Sequence, residues 1–497
     1  MKLRTRGLMA LIALTLSALP GWAQNRVPVH TLSFTAYANG NVDNQYTFLH
    51  TVYDGLGIGL EYTSPYFGMD LSFGLKNDGK YTPQEPYMLG HYITLDNGDI
   101  WLKYGPFKLT GGRMTNSDIV NTPYSLFISS EPIPAVSVDL SYNGSSFFYD
   151  TRWISLNRNS SLYTTQVPVY DTAGNQTGYT TQSLDRGMNY KVYGLKLRDM
   201  RIGFEESVLY LNQEFYPEYF FSPLPMYFTQ LVNMSSSGNV NNPPAQNGNE
   251  NSMMGLFIDN KSDNWYWYGQ FLADDLNFAF LTSPNLRDSH PNKIAWSLGG
   301  TYTFNFGTLG FYTAGATKYT FEPTYTSSTN NNIDPYQYTY FPASTYTGPN
   351  GGLMPLWYTD NYIGYKYGEN NLAFQVTYSN TIDRFDMGGS LEYVISGSVA
   401  PADAWQGLIW YPGGTELLNQ SPLQHQITLT GTASRTFFKS LTVSASLMVG
   451  YVANQLELSN VPNPYTSGEA MLFAPGSRSA FLYSASLGVK YQYSSGW

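Results

Sequence analysis

The sequence predicts an all-β protein, a single transmembrane antiparallel β-barrel of about 18 strands (roughly 16 to 20) with long outer loops. Three observations lead to this prediction. Apolar and polar residues alternate in segments along the whole chain. Charged residues are only 12% of the sequence, whereas 43 tyrosines help to raise the aromatic share to 16%. The N-terminal residues have the pattern of an export signal. Few charges and many aromatics in an exported chain are typical of an outer-membrane barrel.

The first 23 residues are expected to be a cleaved signal peptide. A basic stretch over 2–6 precedes an apolar run over 8–19 and a small-x-small cleavage pattern at 21–23. This run is too short for a convincing transmembrane helix, and no later run reaches eighteen apolar residues. Residues 24–497 show no linker, so we expect one barrel domain in the bacterial outer membrane.

The alternating segments define the expected strands. In each of them apolar residues occupy every second position, which places one apolar and one polar face on an extended ribbon. Helical periodicity is nearly absent, which favours an all-β fold. The clearest segments are 32–37, 67–75, 99–104, 136–142, 147–156, 190–197, 200–211, 264–272, 295–304, 308–321, 362–367, 371–379, 387–395, 425–434, 440–451 and 481–497.

The breaks between these segments fall into two classes. Short turns such as 305–307 and 435–439 contrast with long polar stretches such as 235–252 and 325–352. Bacterial barrels have short periplasmic turns and longer outer loops. In the last third of the chain, the long stretches lie on one side of the membrane only if one additional strand crosses it. Residues 404–411 are the candidate for that strand.

The closing strand indicates which face meets lipid. Over 481–493 the odd positions are apolar or aromatic, and the even positions are mostly small or polar. We expect the odd face to contact outer-membrane lipid. The terminal Trp497 resembles the aromatic residue that barrel-assembly machinery recognises, so that machinery is an expected partner.

The phase of each strand predicts which charged side chains face the lumen. A charge on the lipid face would cost about 2–4 kcal/mol near the midplane, which favours the inward assignment. Glu206 is an exception that a β-bulge or an interfacial position would relieve. The lining forms either a solute path or a set of internal ion pairs, and the balance of both signs favours ion pairs. The inward residues are Asp70, Asp139, Asp150, Arg152, Arg201, Glu205, Lys366, Glu392 and Lys490.

Several function classes find little support in the sequence. There is no cysteine, and none of the five histidines has a metal-binding spacing. No recognisable hydrolase motif surrounds a serine. We therefore expect neither an enzyme nor a cofactor. The net charge of −10 argues against nucleic acid as a partner. The pair Asp274 and Asp275 is expected to lie in an exposed turn more readily than to bind calcium.

One long loop combines aromatic residues with Asn, Thr and Ser. Aromatic faces stack on sugar rings, and amides and hydroxyls bond to sugar hydroxyls. These residues are therefore candidates for polysaccharide binding, with packing over the barrel mouth as an equal alternative. The candidates are Tyr336, Tyr338, Tyr340, Phe341 and Tyr346.

Three stretches, 109–142, 193–228 and 265–277, resemble the capsule-assembly outer-membrane proteins of the Wzi type. The resemblance implies a barrel of about eighteen strands that binds exported polysaccharide at the cell surface, and it implies no catalytic residue. That family has a helical periplasmic part, but this sequence contains no convincing amphipathic helix that would correspond to it. The matching positions are Gly112, Arg113, Gly203, Glu205, Tyr268, Gly269, Gln270, Asp274 and Asp275.

Two functional hypotheses follow from the sequence. The first is an outer-membrane barrel whose outer loops bind or organise exported polysaccharide. The alternative is a porin or channel for small solutes or hydrophobic compounds. The first needs exposed aromatic loops and tolerates a plugged lumen, whereas the second needs an open path.

Overall fold

Eighteen strands pair in chain order and close into one antiparallel barrel, because the last strand pairs back onto the first. This computed structural model describes residues 30–44, 52–77, 90–159, 164–171, 175–234, 250–276, 291–322, 336–347, 352–401, 414–462 and 469–497. The predicted all-β barrel of 18 strands is confirmed. The signal peptide and its boundary at residue 24 lie outside the described residues.

Most strands are 10 to 14 residues long, as expected for tilted strands that cross a membrane. The barrel strands are β1 (Thr31–Asp43), β2 (Val52–Thr63), β3 (Phe67–Asn77), β4 (Tyr92–Tyr104), β5 (Phe107–Met114), β6 (Ala135–Asn143), β7 (Phe147–Asn157), β10 (Arg186–Leu197), β11 (Met200–Leu211), β12 (Glu250–Lys261), β13 (Trp265–Asp275), β14 (Lys293–Phe304), β15 (Gly307–Ala316), β18 (Asn371–Ile382), β19 (Phe385–Ser396), β20 (Gln424–Phe437), β21 (Leu441–Ala453) and β24 (Ala480–Gly496).

The remaining elements lie in the connections between barrel strands. Three hairpins and three short helices are described there. None of the described helices has the length and apolar character needed to cross a membrane. The hairpins are β8 (Thr164–Tyr170) with β9 (Gln176–Ser183), β16 (Thr345–Thr347) with β17 (Leu353–Pro355), and β22 (Leu456–Pro462) with β23 (Glu469–Pro475); the helices are α1 (Pro217–Phe221), α2 (Met226–Met234) and α3 (Tyr358–Asn361).

The two-residue period sorts the wall side chains as expected. On β24 the odd positions point outward, and Leu487 is 59% exposed on a surface that lipid would cover. The even positions point into the barrel, where Ser484 lines an internal cavity. An apolar exterior around a closed barrel is the architecture of outer-membrane barrel proteins, because closure gives every strand a neighbouring strand on both sides.

The last residue takes part in closing the barrel. The Trp497 N–H donates to the His30 carbonyl at 3.0 Å, and the His30 N–H donates to the Trp497 carbonyl at 3.0 Å. Their rings stack with centroids 5.9 Å apart. The terminal aromatic therefore extends the β24–β1 seam by one residue pair.

The connections alternate between short turns and long loops around the barrel. One expected strand, 362–367, is not a strand: it lies inside the barrel within the connection from β15 to β18. With this segment removed, the long loops fall on one end without an additional crossing. Segment 404–411, the candidate for that crossing, lies outside the described residues. The long-loop end is the extracellular one by the general rule for these barrels.

We predict that the two faces of β24 respond differently to charge. Leu487→Lys places an ammonium against lipid and should lower the free energy of unfolding by about 2–4 kcal/mol. Ser486→Lys, one residue away on the inner face, should cost less than about 1 kcal/mol because water reaches the lumen. Urea titration of protein folded into lipid vesicles measures both. Equal losses would show that the faces are misassigned.

Candidate functional site

The long loops fold back into the barrel and fill one side of its lumen. We call the described residues 115–134, 317–322, 336–347 and 352–370 the plug. Leu126, Phe127 and Ile128 in its first segment are fully buried. Segments of the plug pair through their backbones, since the Tyr365 N–H donates to the Leu126 carbonyl at 3.1 Å.

Asp118 organises the first segment of the plug. Its carboxylate accepts backbone N–H groups from Val120 at 3.0 Å, Phe127 at 3.0 Å and Ile128 at 3.2 Å. The Gln270 amide donates to the same carboxylate at 3.0 Å. Burial raises the pKa of Asp118, and these four donors oppose that rise because they stabilise the ionised form. The side chain thus fixes a loop that has no regular secondary structure.

Gln270 joins the plug to the barrel wall. Its amide nitrogen also donates to Glu205 on β11 at 3.0 Å, and its oxygen accepts the Leu126 N–H at 3.0 Å. The Tyr190 hydroxyl donates to Glu205 at 2.9 Å and accepts the Ile119 N–H at 3.2 Å. Three wall strands and the plug therefore share one buried hydrogen-bond network, which is fixed as a unit.

The inward arginines contact both wall carboxylates and the plug backbone. Arg152 forms ion pairs with Asp139 at 2.9 Å and with Asp150 at 3.2 Å. It also donates to the Ser117 carbonyl at 2.8 Å. Arg201 pairs with Asp259 and donates to the Ile119 carbonyl at 3.2 Å. These charges bind wall strands to each other and to the plug.

Two further cations also join the wall to the plug backbone, and neither was predicted from the sequence. Arg186 is fully buried and donates to the carbonyls of Gln337 at 2.7 Å and Thr339 at 3.0 Å. The ammonium of Lys293 donates to the Glu322 carbonyl at 2.9 Å. Both residues start a strand just outside the alternating segments. Extending the strand phase by a few residues would have placed Arg186 in the lumen.

The tyrosine-rich loop is part of the plug. Tyr338 and Tyr340 are buried, and the Tyr338 hydroxyl donates to the Phe127 carbonyl at 2.7 Å. Tyr336 and Phe341 are half-buried and pack against the same core. Tyr346 lies on β16 and is also half-buried. At Tyr338 and Tyr340 the structure therefore shows packing inside the barrel, with no ring face open to a polysaccharide.

The other expected inward charges lie toward the less filled side. Lys366 belongs to the plug, not to a strand as its alternating segment suggested. Its ammonium lies 3.5 Å from Glu392 on β19 and 3.4 Å from Glu131. Asp70 accepts a bond from the Asn97 amide at 3.2 Å. Lys490 is exposed on the inward side of β24.

The side of the lumen opposite the filled half is lined largely by polar groups. A cavity of about 600 Å³ lies beside Lys366 and Glu392. Hydroxyls and amides of β20, β21 and β24 form most of its wall, with Met448, Val452 and Leu482 as an apolar patch among them. The same inward faces continue toward the short-turn end with Thr432, Ser434, Ser444 and Ser486. The hydroxyl- and amide-bearing wall residues are Gln424, Gln426, Thr428, Thr430, Ser446 and Ser484.

A second polar site lies on the outer face of the barrel and explains Glu206. Glu206 on β11 and Lys191 on β10 are directly paired in register, on the face that carries Ile202 and Leu195 toward lipid. No register shift interrupts this pairing, so the bulge suggested by the sequence is absent there. Both side chains are nevertheless buried, at 1% and 0% exposure.

Residues 212–234 cover these two charges from outside. Lys191 donates to the Ser222 carbonyl at 2.5 Å, at the end of α1, and Glu206 accepts the Met226 N–H at 2.7 Å, at the start of α2. An ammonium at a helix C-terminus and a carboxylate at a helix N-terminus both suit the helix dipole. Phe221 and Phe228 are 70% and 59% exposed on the outside of this cover.

These two helices were not expected from the sequence. They follow the long-loop end of β11, so they belong to an outer loop and not to a periplasmic part. Their polar backbone ends lie against a wall that faces lipid, where an unsatisfied group costs several kcal/mol. Lys191 and Glu206 supply those partners.

We predict that Glu206→Met destabilises the protein by about 3 kcal/mol, because Lys191 is left buried without a counter-charge and α2 loses its N-terminal acceptor. Urea unfolding in vesicles measures the loss. The double variant Lys191→Met/Glu206→Met should recover part of it. Glu61→Gln, an exposed carboxylate on β2, is the control and should change stability little. A loss in the control as large as in Glu206→Met would contradict this role.

The remaining positions of the family resemblance are mostly parts of the wall. Tyr268 is buried and its hydroxyl lies 2.7 Å from the Ser297 hydroxyl. A Cβ at Gly203 would lie 2.3 Å from the Tyr193 carbonyl oxygen, so a side chain does not fit there. Gly269 lies on the outward side of β13.

Asp274 and Asp275 end β13 and do not form an exposed turn. The Phe321 N–H of the plug donates to Asp274 at 3.0 Å, and Asp275 pairs in register with Lys293. Within the described ranges no cluster of three acidic or histidine side chains is arranged to hold a metal.

No family model and no curated protein matches this sequence. Among solved structures, the chain is similar to Wzi of Escherichia coli, described as a carbohydrate-binding β-barrel involved in group 1 capsule assembly, with 12% identity, a TM-score of 0.49 and coverage of 97% of this chain and 86% of that one. It is also similar to OccAB4 of Acinetobacter baumannii, with 10% identity, a TM-score of 0.44 and coverage of 95% and 100%.

A third similar structure is OccK8 (OprE) of Pseudomonas aeruginosa, with 11% identity, a TM-score of 0.45 and coverage of 94% of this chain and 98% of that one. All three structures have low sequence identity to this chain, between 10% and 12%. The resemblance to the Wzi type stays a resemblance.

Proposed function

We propose that the protein is an outer-membrane channel for small, neutral, hydroxylated solutes. The observation that supports this proposal most is the one-sided filling of the lumen. The plug is fixed to β7, β10, β11 and β13 by buried bonds, while β20, β21 and β24 face a cavity of about 600 Å³. Cavities of this size accommodate small molecules, whose sites span roughly 300–1,000 Å³.

The chemistry of the open wall suits uncharged polar solutes. Ser and Thr hydroxyls both donate and accept, so they replace the water that a sugar loses on entering a narrow path. A direct bond between the Ser446 and Ser486 hydroxyls at 3.1 Å shows how closely such groups approach each other on this wall. The short side chains also leave room for a solute.

The charges beside this path favour neither cations nor anions strongly. Lys366 lies between Glu392 and Glu131, and the Tyr124 hydroxyl donates to Glu392 at 2.8 Å. A pore that selects by charge carries an excess of one sign at its constriction. Here the ammonium and the carboxylates largely compensate one another.

We predict that Thr430→Trp reduces the uptake of a neutral monosaccharide by proteoliposomes at least five-fold, because the indole fills the cavity beside the open wall. Liposome swelling measures uptake. Leu429→Trp, on the lipid face of the same strand, is the matched control and should leave uptake unchanged. Wild-type proteoliposomes that swell no faster than empty liposomes would contradict the channel, and equal uptake in both variants would contradict this path.

Binding of a surface polysaccharide is the second candidate function. A groove of about 460 Å³ lies between hairpin β22–β23 and residue Trp357 of the plug. Its lining also includes Asn460, Met471 and Arg478. An indole with neighbouring amide and guanidinium groups suits a sugar ring and its hydroxyls. This groove, and not Tyr338 or Tyr340, is where we place such binding.

We predict that Trp357→Ala weakens retention of cell-surface polysaccharide at least three-fold, because the aromatic face of the groove is lost. Sedimentation of cells with labelled exported polysaccharide measures retention. Phe385→Ala, an exposed aromatic at the short-turn end of β19, is the control. Unchanged retention in Trp357→Ala would remove the groove as a glycan site.

The remaining expectations from the sequence stay proposals. The strand β24 and Trp497 are proposed to be recognised by barrel-assembly machinery, supported by the seam bonds of Trp497. Outer-membrane lipid is proposed as the partner of the apolar exterior. Neither catalysis nor a cofactor is proposed.

A further inference from the structure

The barrel wall has a notch at its long-loop end, beside β4. The neighbouring strands β5 and β6 are the shortest of the described barrel strands, with 8 and 9 residues. Pairing of β4 with β5 begins only at Gly98 and Arg113, so the edge of β4 from Tyr92 to Asn97 has no strand partner on that side among the described residues. This edge is about 20 Å long at 3.3 Å per residue.

Local geometry keeps this edge of β4 unpaired. Gly112 has a φ of +141°, and a Cβ there would lie 2.3 Å from the Gly98 carbonyl oxygen. Only glycine fits this close approach comfortably. Arg113 then donates through Nε to the Leu95 carbonyl at 2.8 Å, which satisfies one acceptor on the open edge. Pro132 and Pro134, which lie opposite, have no N–H to extend the sheet.

A cavity of about 800 Å³ lies at the notch and reaches both faces of the wall. Ile93 and Leu95 belong to the lipid-facing side of β4 and are 54% and 44% exposed. Lys76 and Asp96 belong to the inner side, and Phe341 of the plug lines the cavity from within. The cavity therefore has an apolar rim on the lipid side and charged groups behind it.

The charged side chains that line this cavity differ in whether they have an ion-pair partner. The ammonium of Lys76 is paired with Asp96 at 2.6 Å, and Glu131 lies 3.4 Å from Lys366. Asp360 also lines the cavity, from the plug side. In contrast, the guanidinium of Arg113 has no carboxylate partner in the described part of the chain, so its Nη groups remain the cationic donors available to a ligand. A carboxylate matches the planar fork of a guanidinium through two parallel hydrogen bonds.

We propose that the notch is a lateral binding site for a single-chain amphiphile with a carboxylate head, entering from the outer leaflet. The head binds Arg113, and the alkyl chain lies along Ile93 and Leu95. The site takes an amphipathic ligand from the membrane, whereas the hydroxylated wall takes water-soluble solutes. The proposal of this lateral site does not depend on the passage of solutes through the lumen.

The test uses the full barrel in phosphatidylcholine nanodiscs and a fluorescent 12-carbon carboxylate as the probe. Wild type should bind one probe per barrel in competition with dodecanoate. Arg113→Gln should weaken binding at least ten-fold, while Arg435→Gln should not, since Arg435 lies on the outer face of β20 against Phe385 and Phe437. Leu95→Trp, which fills the rim, should abolish saturable binding.

Three results would overturn the proposal. These are equal affinity in Arg113→Gln and Arg435→Gln, saturable binding that survives Leu95→Trp, and tighter competition by dodecyltrimethylammonium than by dodecanoate. Heat-modifiable migration on a gel verifies that each variant is folded. Monosaccharide uptake measured on Arg113→Gln keeps the two proposals apart, because it should equal that of wild type even when probe binding is lost.

Discussion

The carboxylate of Asp118 is the group on which the interior of this barrel depends. A loop that enters a barrel carries backbone N–H groups away from water, and each one left unpaired costs about 1–3 kcal/mol. Asp118 accepts three of them and receives the Gln270 amide from the wall. The segments containing Tyr338 and Tyr365 then pack on the loop that Asp118 has fixed.

One constraint accounts for both the filled lumen and the covered outer wall. Where irregular backbone lies out of water, charged side chains form the hydrogen bonds that its N–H and C=O groups need. Arg186 and Arg152 donate to plug carbonyls inside the barrel, and Lys191 and Glu206 bind the ends of two short helices outside it. Most charged groups on the filled side are occupied in this way, which is why we propose that solutes pass along the wall that carries hydroxyls.

The barrel itself was predictable because its signal is local. A two-residue period decides which face of a strand meets lipid, and it placed Asp139, Arg152 and Glu205 on the inner side. The plug was not predictable, because its contacts join residues far apart in sequence. The alternating tyrosines of 362–367 suit a buried loop as well as a strand, and nothing near Glu206 in the sequence shows that helices will cover it.

Single-channel conductance in a planar bilayer tests the half-filled lumen most directly, with wild type compared with Asp118→Asn. Asparagine has one acceptor oxygen in place of two and adds two donors, so it cannot accept the same four N–H groups. We predict small, steady steps for wild type and larger or fluctuating steps for Asp118→Asn, with both proteins equally folded. A silent wild type, or identical steps in the two proteins, would contradict it.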